Sequence, residues 1–336
     1  MHTPTQRYVA GFALSLTAAM LWGMLPVALK EILAGMDAIT IVWYRFLVAG
    51  AVLFLWLAHR RQLPVLNQSS NRVRWFLLLA ALGLCCNYFL FSYSLNFVNG
   101  ETSEAVIQLT TLFLILGGVF IYKESFFAIQ KMGTALIVIG LLLFFNERLA
   151  EFNSFGNRET IGILILVAAA ITWTVYALLQ KQLLTNFSSV QILFLIYVFS
   201  ALVLLPFITP SSLFQLNQLQ FWLLVFCCVN TLIAYGSFAE ALNCWDASKV
   251  SAVLALAPLF TIGSLKLVVL LVPDYQFSDR LGLLSLVGAL LLVIGSVLTA
   301  LMPTFRKRFS SGNSATAVSS TTAPSAISGS PPVPPE

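Results

Sequence analysis

Residues 88–113 read YFLFSYSLNFVNGETSEAVIQLTTLF, and residues 235–260 read YGSFAEALNCWDASKVSAVLALAPLF. Laid over one another at an offset of 147 they share nine identities, among them Tyr88 with Tyr235, Phe91 with Phe238, Asn96 with Asn243 and Leu109 with Leu256. Apolar residues match cheaply in an apolar chain, so the tyrosine, the asparagine and the constant spacing carry most of the weight. At an offset of 151, Trp22 meets Trp173 and Lys30 meets Lys181. Asn99 falls opposite Asp246, each a good helix N-cap just ahead of an apolar run.

The chain around this repeat is 59% hydrophobic and only 9% charged, with mean hydropathy +0.91. A soluble domain carries about 25% charged residues, so water is the wrong solvent for most of this sequence. Crossing a bilayer core takes about 20 apolar residues in a helix, and such runs recur from end to end, too often for a signal peptide. The net charge of +5 does not point to nucleic acid, because the basic residues sit in short loops between apolar runs. Of the five cysteines, Cys85, Cys86, Cys227 and Cys228 form two adjacent pairs inside such runs, with Cys244 beyond. Neighbours on a helix point apart, so these read as buried apolar filler, not as disulfides or metal ligands.

Charged and turn-forming residues divide the chain into ten spans: 12–33, 39–58, 75–96, 104–121, 129–146, 160–181, 189–208, 221–242, 248–272 and 280–302. Gly35 and Asp37 separate the first two, and Lys123, Glu124 and Lys131 separate the fourth from the fifth. With the N-terminus inside, twelve of the 18 Lys and Arg fall on the cytoplasmic side and four outside, leaving Arg45 and Lys266 within spans. The division predicts an N-terminal segment 1–11, a first five-helix unit 12–146, an external linker 147–159, a second unit 160–302 and a cytoplasmic tail 303–336. The tail is Ser-, Thr-, Ala- and Pro-rich and reads as disordered.

A unit of five spans is odd, so the second copy enters the membrane from the opposite side. The predicted fold is therefore an all-α integral membrane protein of ten transmembrane helices in two inverted five-helix repeats. Such repeats let one chain present inward- and outward-facing states around a site near the midplane.

The order of elements also carries a resemblance. Leu21-Trp22-Gly23 followed by Lys30, Arg45 early in the second span, the Tyr-containing third span leading through Glu104-Ala105, then Glu124, and the fifth span from Gly133 to Gly140 together resemble the EamA-type unit of the drug/metabolite transporter superfamily. The likeness returns from Ala241-Leu242 through Pro258 and from Gly282 to Gly295. It implies ten helices, a central cavity and transport of amino acids or other small metabolites, often as efflux. Two departures fall at the pore mouths: Thr111 stands where the family has proline, and Pro273-Asp274 replaces an expected acidic position after the ninth span.

No span holds His or Asp, which argues against metal hydrolysis, aspartyl proteolysis or a Ser-His relay, and hence against an enzyme. No Gly-rich Lys-Ser or Lys-Thr loop is present for ATP, and no cofactor is implied. Glu240 is the acid clearly inside a span, near the cytoplasmic end of the eighth; it reads either as a proton- or cation-binding group or as a helix-end carboxylate paired with Lys249. Lys266 reads as a pore-facing cation or a snorkelling one. Arg45 and Lys30 read as interfacial or structural cations. Trp22, Tyr88, Trp173 and Tyr235 lie at mid-depth, away from the interfacial aromatic belts, and are candidate cavity walls against ordinary helix packing. Asn87, Gln108 and Tyr176 also sit deep and need partners, in a hydrated cavity or across helices. Gly117-Gly118 and Gly133 with Gly140 suggest close helix contacts.

These observations favour a secondary transporter, an exporter or exchanger of small metabolites in the bacterial inner membrane. A non-transporting polytopic sensor or lipid-handling protein is the alternative. The expected partners are a small-molecule substrate and the lipid bilayer, not nucleic acid, with a proton or counter-substrate as the coupled species and a monomer or homodimer as the working unit. The charge asymmetry yields one direct test: reporter fusions at residue 1 and after residue 308 should both read cytoplasmic, and an external C-terminal tail would overturn the topology.

Overall fold

The computed structural model describes residues 7–66, 69–123, 127–146, 157–244, 250, 253–272, 275, 277 and 281–298. In chain order the helices are α1 (Tyr8–Ile32), α2 (Ala38–His59), α3 (Asn71–Ser94), α4 (Gly100–Ile107), α5 (Leu109–Tyr122), α6 (Ala128–Phe144), α7 (Arg158–Leu183), α8 (Ser189–Leu204), α9 (Gln218–Cys244), α10 (Ala257–Leu271) and α11 (Leu283–Leu298). Seven stretches are long and apolar enough to cross a membrane: α1, α2, α3, α4 with α5, α7, α8 with its 3-10 extension, and α9. Three shorter apolar helices, α6, α10 and α11, complete the bundle among the described residues.

Helix starts follow local chemistry. Asp37 caps α2 by accepting from the Thr40 backbone N–H at 2.9 Å, and Ser188 with Gln191 forms a capping box at the start of α8. The turn between α1 and α2 occupies Leu33 to Asp37, where Gly35 and Asp37 predict it. Asn99 takes the N-cap position of α4. Pro258 lacks an N–H and sits in the first turn of α10, where no bond is lost.

Pairing between the two halves is reciprocal. α1 packs on α9 as α7 packs on α3, α1 on α10 as α7 on α5, and α2 on α8. The closest approaches use glycine. A Cβ on Gly295 would lie 2.6 Å from the Gly133 carbonyl oxygen, and one on Gly288 would lie 2.6 Å from that of Gly140. Gly133 and Gly140 correspond to Gly288 and Gly295 at an offset of 155, so each contact is the other with the halves exchanged. Polar side chains stitch the same interfaces: Asn87 Nδ2 donates to the Ala169 carbonyl at 2.9 Å, Asn230 Nδ2 to Leu21 at 2.6 Å and Thr261 Oγ1 to Gly23 at 2.6 Å. Pro26 inside α1 has no N–H for the Trp22 carbonyl, which loosens the ladder where α9 and α10 deliver these donors.

The structure revises several boundaries. The fourth span starts at Gly100 and is interrupted at Gln108, because packing on α1, α7 and α10 buries Glu101 and Glu104. The eighth runs from Gln218 to Cys244, longer than 221–242. The ninth is interrupted at Ala255-Leu256, and its long described helix begins at Ala257. Cys86 is exposed on the outer face of α3, while Cys85, Cys227, Cys228 and Cys244 are buried and free. Glu124, Asp246, Lys249, Pro273-Asp274, residues 147–156 and the tail from residue 299 lie outside the described residues.

Overpacking a tight contact costs about 1–3 kcal/mol. Gly288→Ala should therefore lower the melting temperature in detergent, whereas Gly236→Ala and Gly263→Ala, whose added methyls meet nothing within 4 Å, should hold or raise it. Equal melting of all three variants would show that α6 and α11 are not closely packed.

Candidate functional site

Three of the four mid-depth aromatics meet ring to ring. Tyr88 of α3 stacks on Tyr235 of α9 with ring centroids 6.1 Å apart, and Trp22 of α1 meets Tyr235 edge-on at 5.3 Å and Phe238 at 5.7 Å. Trp173 and Tyr176 of α7 belong to the same cluster. Phe46 of α2 extends it, 4.7 Å from Tyr88 and 5.5 Å from Tyr197 of α8. Six helices from both halves thus converge on one aromatic centre, with Tyr88, Tyr176, Tyr197 and Tyr235 buried and Trp22 and Trp173 partly exposed.

Arg45 occupies this centre. It is 3% exposed, its Cζ lies 4.6 Å from the Tyr88 ring centroid, and its Nε donates to Thr231 Oγ1 at 3.0 Å. Thr231 in turn donates to the Cys227 carbonyl at 2.9 Å, which orients its lone pairs toward the guanidinium. In sequence, Arg45 lies only seven residues into α2, close enough to an end for snorkelling to be the natural expectation. The packing of α8 and α9 over that face closes the route to water. The tyrosines that receive Arg45 come from three other helices, so local spacing carries no signal for them.

Asn87 and Gln108 resolve as cross-links between helices. Gln108 Nε2 donates to the Ala255 carbonyl at 3.1 Å, joining the break between α4 and α5 to the break ahead of α10. Gln108 and Ala255 correspond at the offset of 147, as do Tyr88 and Tyr235. Two pairs of equivalent residues therefore touch one another at the centre of the bundle. Lys266 and Glu240 are not brought into this cluster; both are exposed, and Glu240 Oε1 accepts from Cys244 Sγ at 3.7 Å. Gly117 gives α7 room, with Leu178 packed against it.

A polar knot lies at one end of the bundle. Lys30 Nζ donates to the carbonyls of Leu95 and Val98, the latter at 2.8 Å, and lies 5.4 Å from the Phe277 ring. Arg158 Nη2 donates to the Asn96 carbonyl at 3.0 Å. Burial, then the charges of Glu31 and Glu101, push the Tyr275 phenol up to about 12. Glu101 and Glu104 are both buried in α4; a reading of charge boundaries leaves Glu101 between spans and puts Glu104 at the very start of the fourth.

The profile of the EamA-like transporter family matches the chain twice, over residues 9–146 and 160–301. An uncharacterized transporter of Haemophilus influenzae is 40% identical over 296 residues, covering 88% of this chain and 96% of the relative. The uncharacterized inner membrane transporter YhbE of Escherichia coli is 39% identical, covering 87% and 91%. A probable amino-acid metabolite efflux pump of Escherichia coli is 23% identical, covering 89% and 98%. A solved crystal structure superposes with TM-score 0.61 at 18% identity over 88% of this chain and 98% of that one, a likeness of fold. Two matches of one family profile across nearly the whole length, on a bundle of apolar helices packed reciprocally, lead to one conclusion: the chain belongs to the EamA-like transporter family.

Proposed function

We propose that the chain is a secondary transporter that exports or exchanges small metabolites, amino acids among them, by alternating access around a midplane site. The observation that carries this is the contact of equivalent residues: Tyr88 meets Tyr235, and Gln108 reaches Ala255. Residues lying on a two-fold axis touch their own equivalents, and an axis in the membrane plane relates halves that enter from opposite sides. Exchanging the conformations of two such halves turns an inward-facing site outward. The reciprocal glycine contacts of α6 and α11 support the same symmetry.

In this reading ten spans, counted as the seven long stretches and three shorter helices, place both termini in the cytoplasm of a bacterial inner membrane. Interruptions at Gln108 and at Ala255-Leu256 supply the broken helices that line sites in such transporters. Trp22, Tyr88, Trp173, Tyr176 and Tyr235 form the walls, Asn87 and Gln108 hold neighbouring helices in register, and Glu240 and Lys266 serve the approaches to the site. The name carried by the efflux-pump relative of Escherichia coli supports amino acids as the first substrates to try.

Counterflow tests the proposal. Proteoliposomes preloaded with an unlabelled amino-acid mixture should take up labelled amino acids transiently, and protein-free vesicles should not. Trp22→Ala with Tyr235→Ala should reduce the initial rate by about tenfold, the scale expected from losing aromatic contacts with a bound substrate. Absence of counterflow for every component, with the protein folded and inserted, would overturn transport of amino acids.

A further inference from the structure

Arg45 holds a full positive charge inside a bundle that sits in hydrocarbon. Ionisable groups at such depth ordinarily pair with an opposite charge or face water. Among the described residues Arg45 makes no ion pair; what it receives is the Thr231 hydroxyl and the face of Tyr88. Both are neutral, and Thr231 takes only one of the five guanidinium donors. The two Nη groups, which form the fork that fits a carboxylate, have no hydrogen-bonded acceptor among the described residues.

The surroundings point the same way. Tyr88 and Tyr197 are 5% and 1% exposed, and their buried hydroxyls lie beside one another and beside Tyr235, yet neither makes a hydrogen bond of ordinary geometry among the described residues. Unpartnered buried hydroxyls are costly and call for an explanation. Phe46 bridges the two tyrosines, so their hydroxyls and the guanidinium belong to one cluster drawn from α2, α3 and α8. One cation and two O–H donors set among aromatic rings make a host for a single negative charge. A carboxylate takes the guanidinium fork through two parallel N–H bonds and has lone pairs left for the phenols. A dianion would bring a second charge with no cation to meet it.

We propose that Arg45, with the Tyr88 and Tyr197 hydroxyls, binds the carboxylate of a monoanionic metabolite whose apolar body lies against Trp22, Tyr235 and Phe238. The proposal rests on the transport reading and names its substrate class. It puts the charge that selects substrate at buried Arg45 and not at exposed Lys266. The substrate carboxylate is the counter-ion that this guanidinium otherwise lacks among the described residues.

The test is equilibrium binding to the purified full-length protein in detergent, read by tryptophan fluorescence, with two matched pairs: phenylacetate with phenylacetamide, and L-phenylalanine with L-phenylalaninamide. The carboxylate of at least one pair should bind about tenfold or more tightly than its amide, as loss of a charge-assisted bond requires. Arg45→Gln should abolish that preference. Tyr197→Phe removes only a hydroxyl that makes no hydrogen bond of ordinary geometry, so it should melt near the wild-type temperature while losing severalfold in carboxylate affinity. If Arg45→Gln does not fold, Tyr197→Phe decides. An amide bound as tightly as its carboxylate, no binding by either carboxylate, unchanged affinity in Tyr197→Phe, or tighter binding of phenyl phosphate than of phenylacetate would each overturn the proposal. Carboxylate binding without counterflow would keep the site and sink transport of these substrates; counterflow blind to the carboxylate would do the reverse.

Discussion

Lipid tails are as apolar as leucine, so helices inside a bilayer gain little by hiding apolar surface from them. They associate where backbones come close enough for dense van der Waals contact and where polar groups find partners. In this bundle that constraint selects the residues at the interfaces. Gly133, Gly140, Gly288 and Gly295 bring α6 and α11 together, Gly83 lets α3 approach the Thr172 carbonyl of α7, and Gly23 lets α1 approach α10. Asn87, Gln108, Asn230 and Thr261 then each donate to a backbone carbonyl of a neighbouring span. The large aliphatic residues, by contrast, are widely exposed on the outer faces, as lipid contact allows.

The centre of the bundle obeys a different balance. Tyr88, Tyr197, Tyr235, Phe46 and Trp22 supply packing area, but their rings enclose a charge and their hydroxyls exceed the acceptors at hand. Filling the same volume with leucine and phenylalanine would avoid that cost. A buried guanidinium beside phenols without well-formed hydrogen bonds is a cost to folding, which the proposed carboxylate would offset. Reciprocal packing of the two halves sets this centre where both contribute, and Arg45 makes it asymmetric, because the second half offers Ile196 and Tyr197 in the corresponding stretch of α8.

Much was legible in the linear order of residues. Solvent, helical class, the repeat at offsets of 147 and 151, most span positions and the resemblance to the EamA-type unit all follow from composition, periodicity and matched spacings. Trp22, Tyr88 and Tyr235 were recognisable as mid-depth aromatics, and the structure brings them into contact. These are properties of single helices: depth follows from about 1.5 Å of rise per residue, and polarity from the side chain alone.

Properties that depend on which helices lie side by side were decided only by the tertiary structure. Arg45 looked able to reach the interface because its own helix places it near an end, yet α8 and α9 cover it. Glu101 and Glu104 read as a boundary until α1, α7 and α10 enclose them, and Lys266 and Glu240 stood out as charges within spans yet lie on exposed faces. Burial of a charged side chain is set by the neighbours that displace its solvent, and in a helical bundle those neighbours come from distant segments, as Thr231 does for Arg45 across 186 residues.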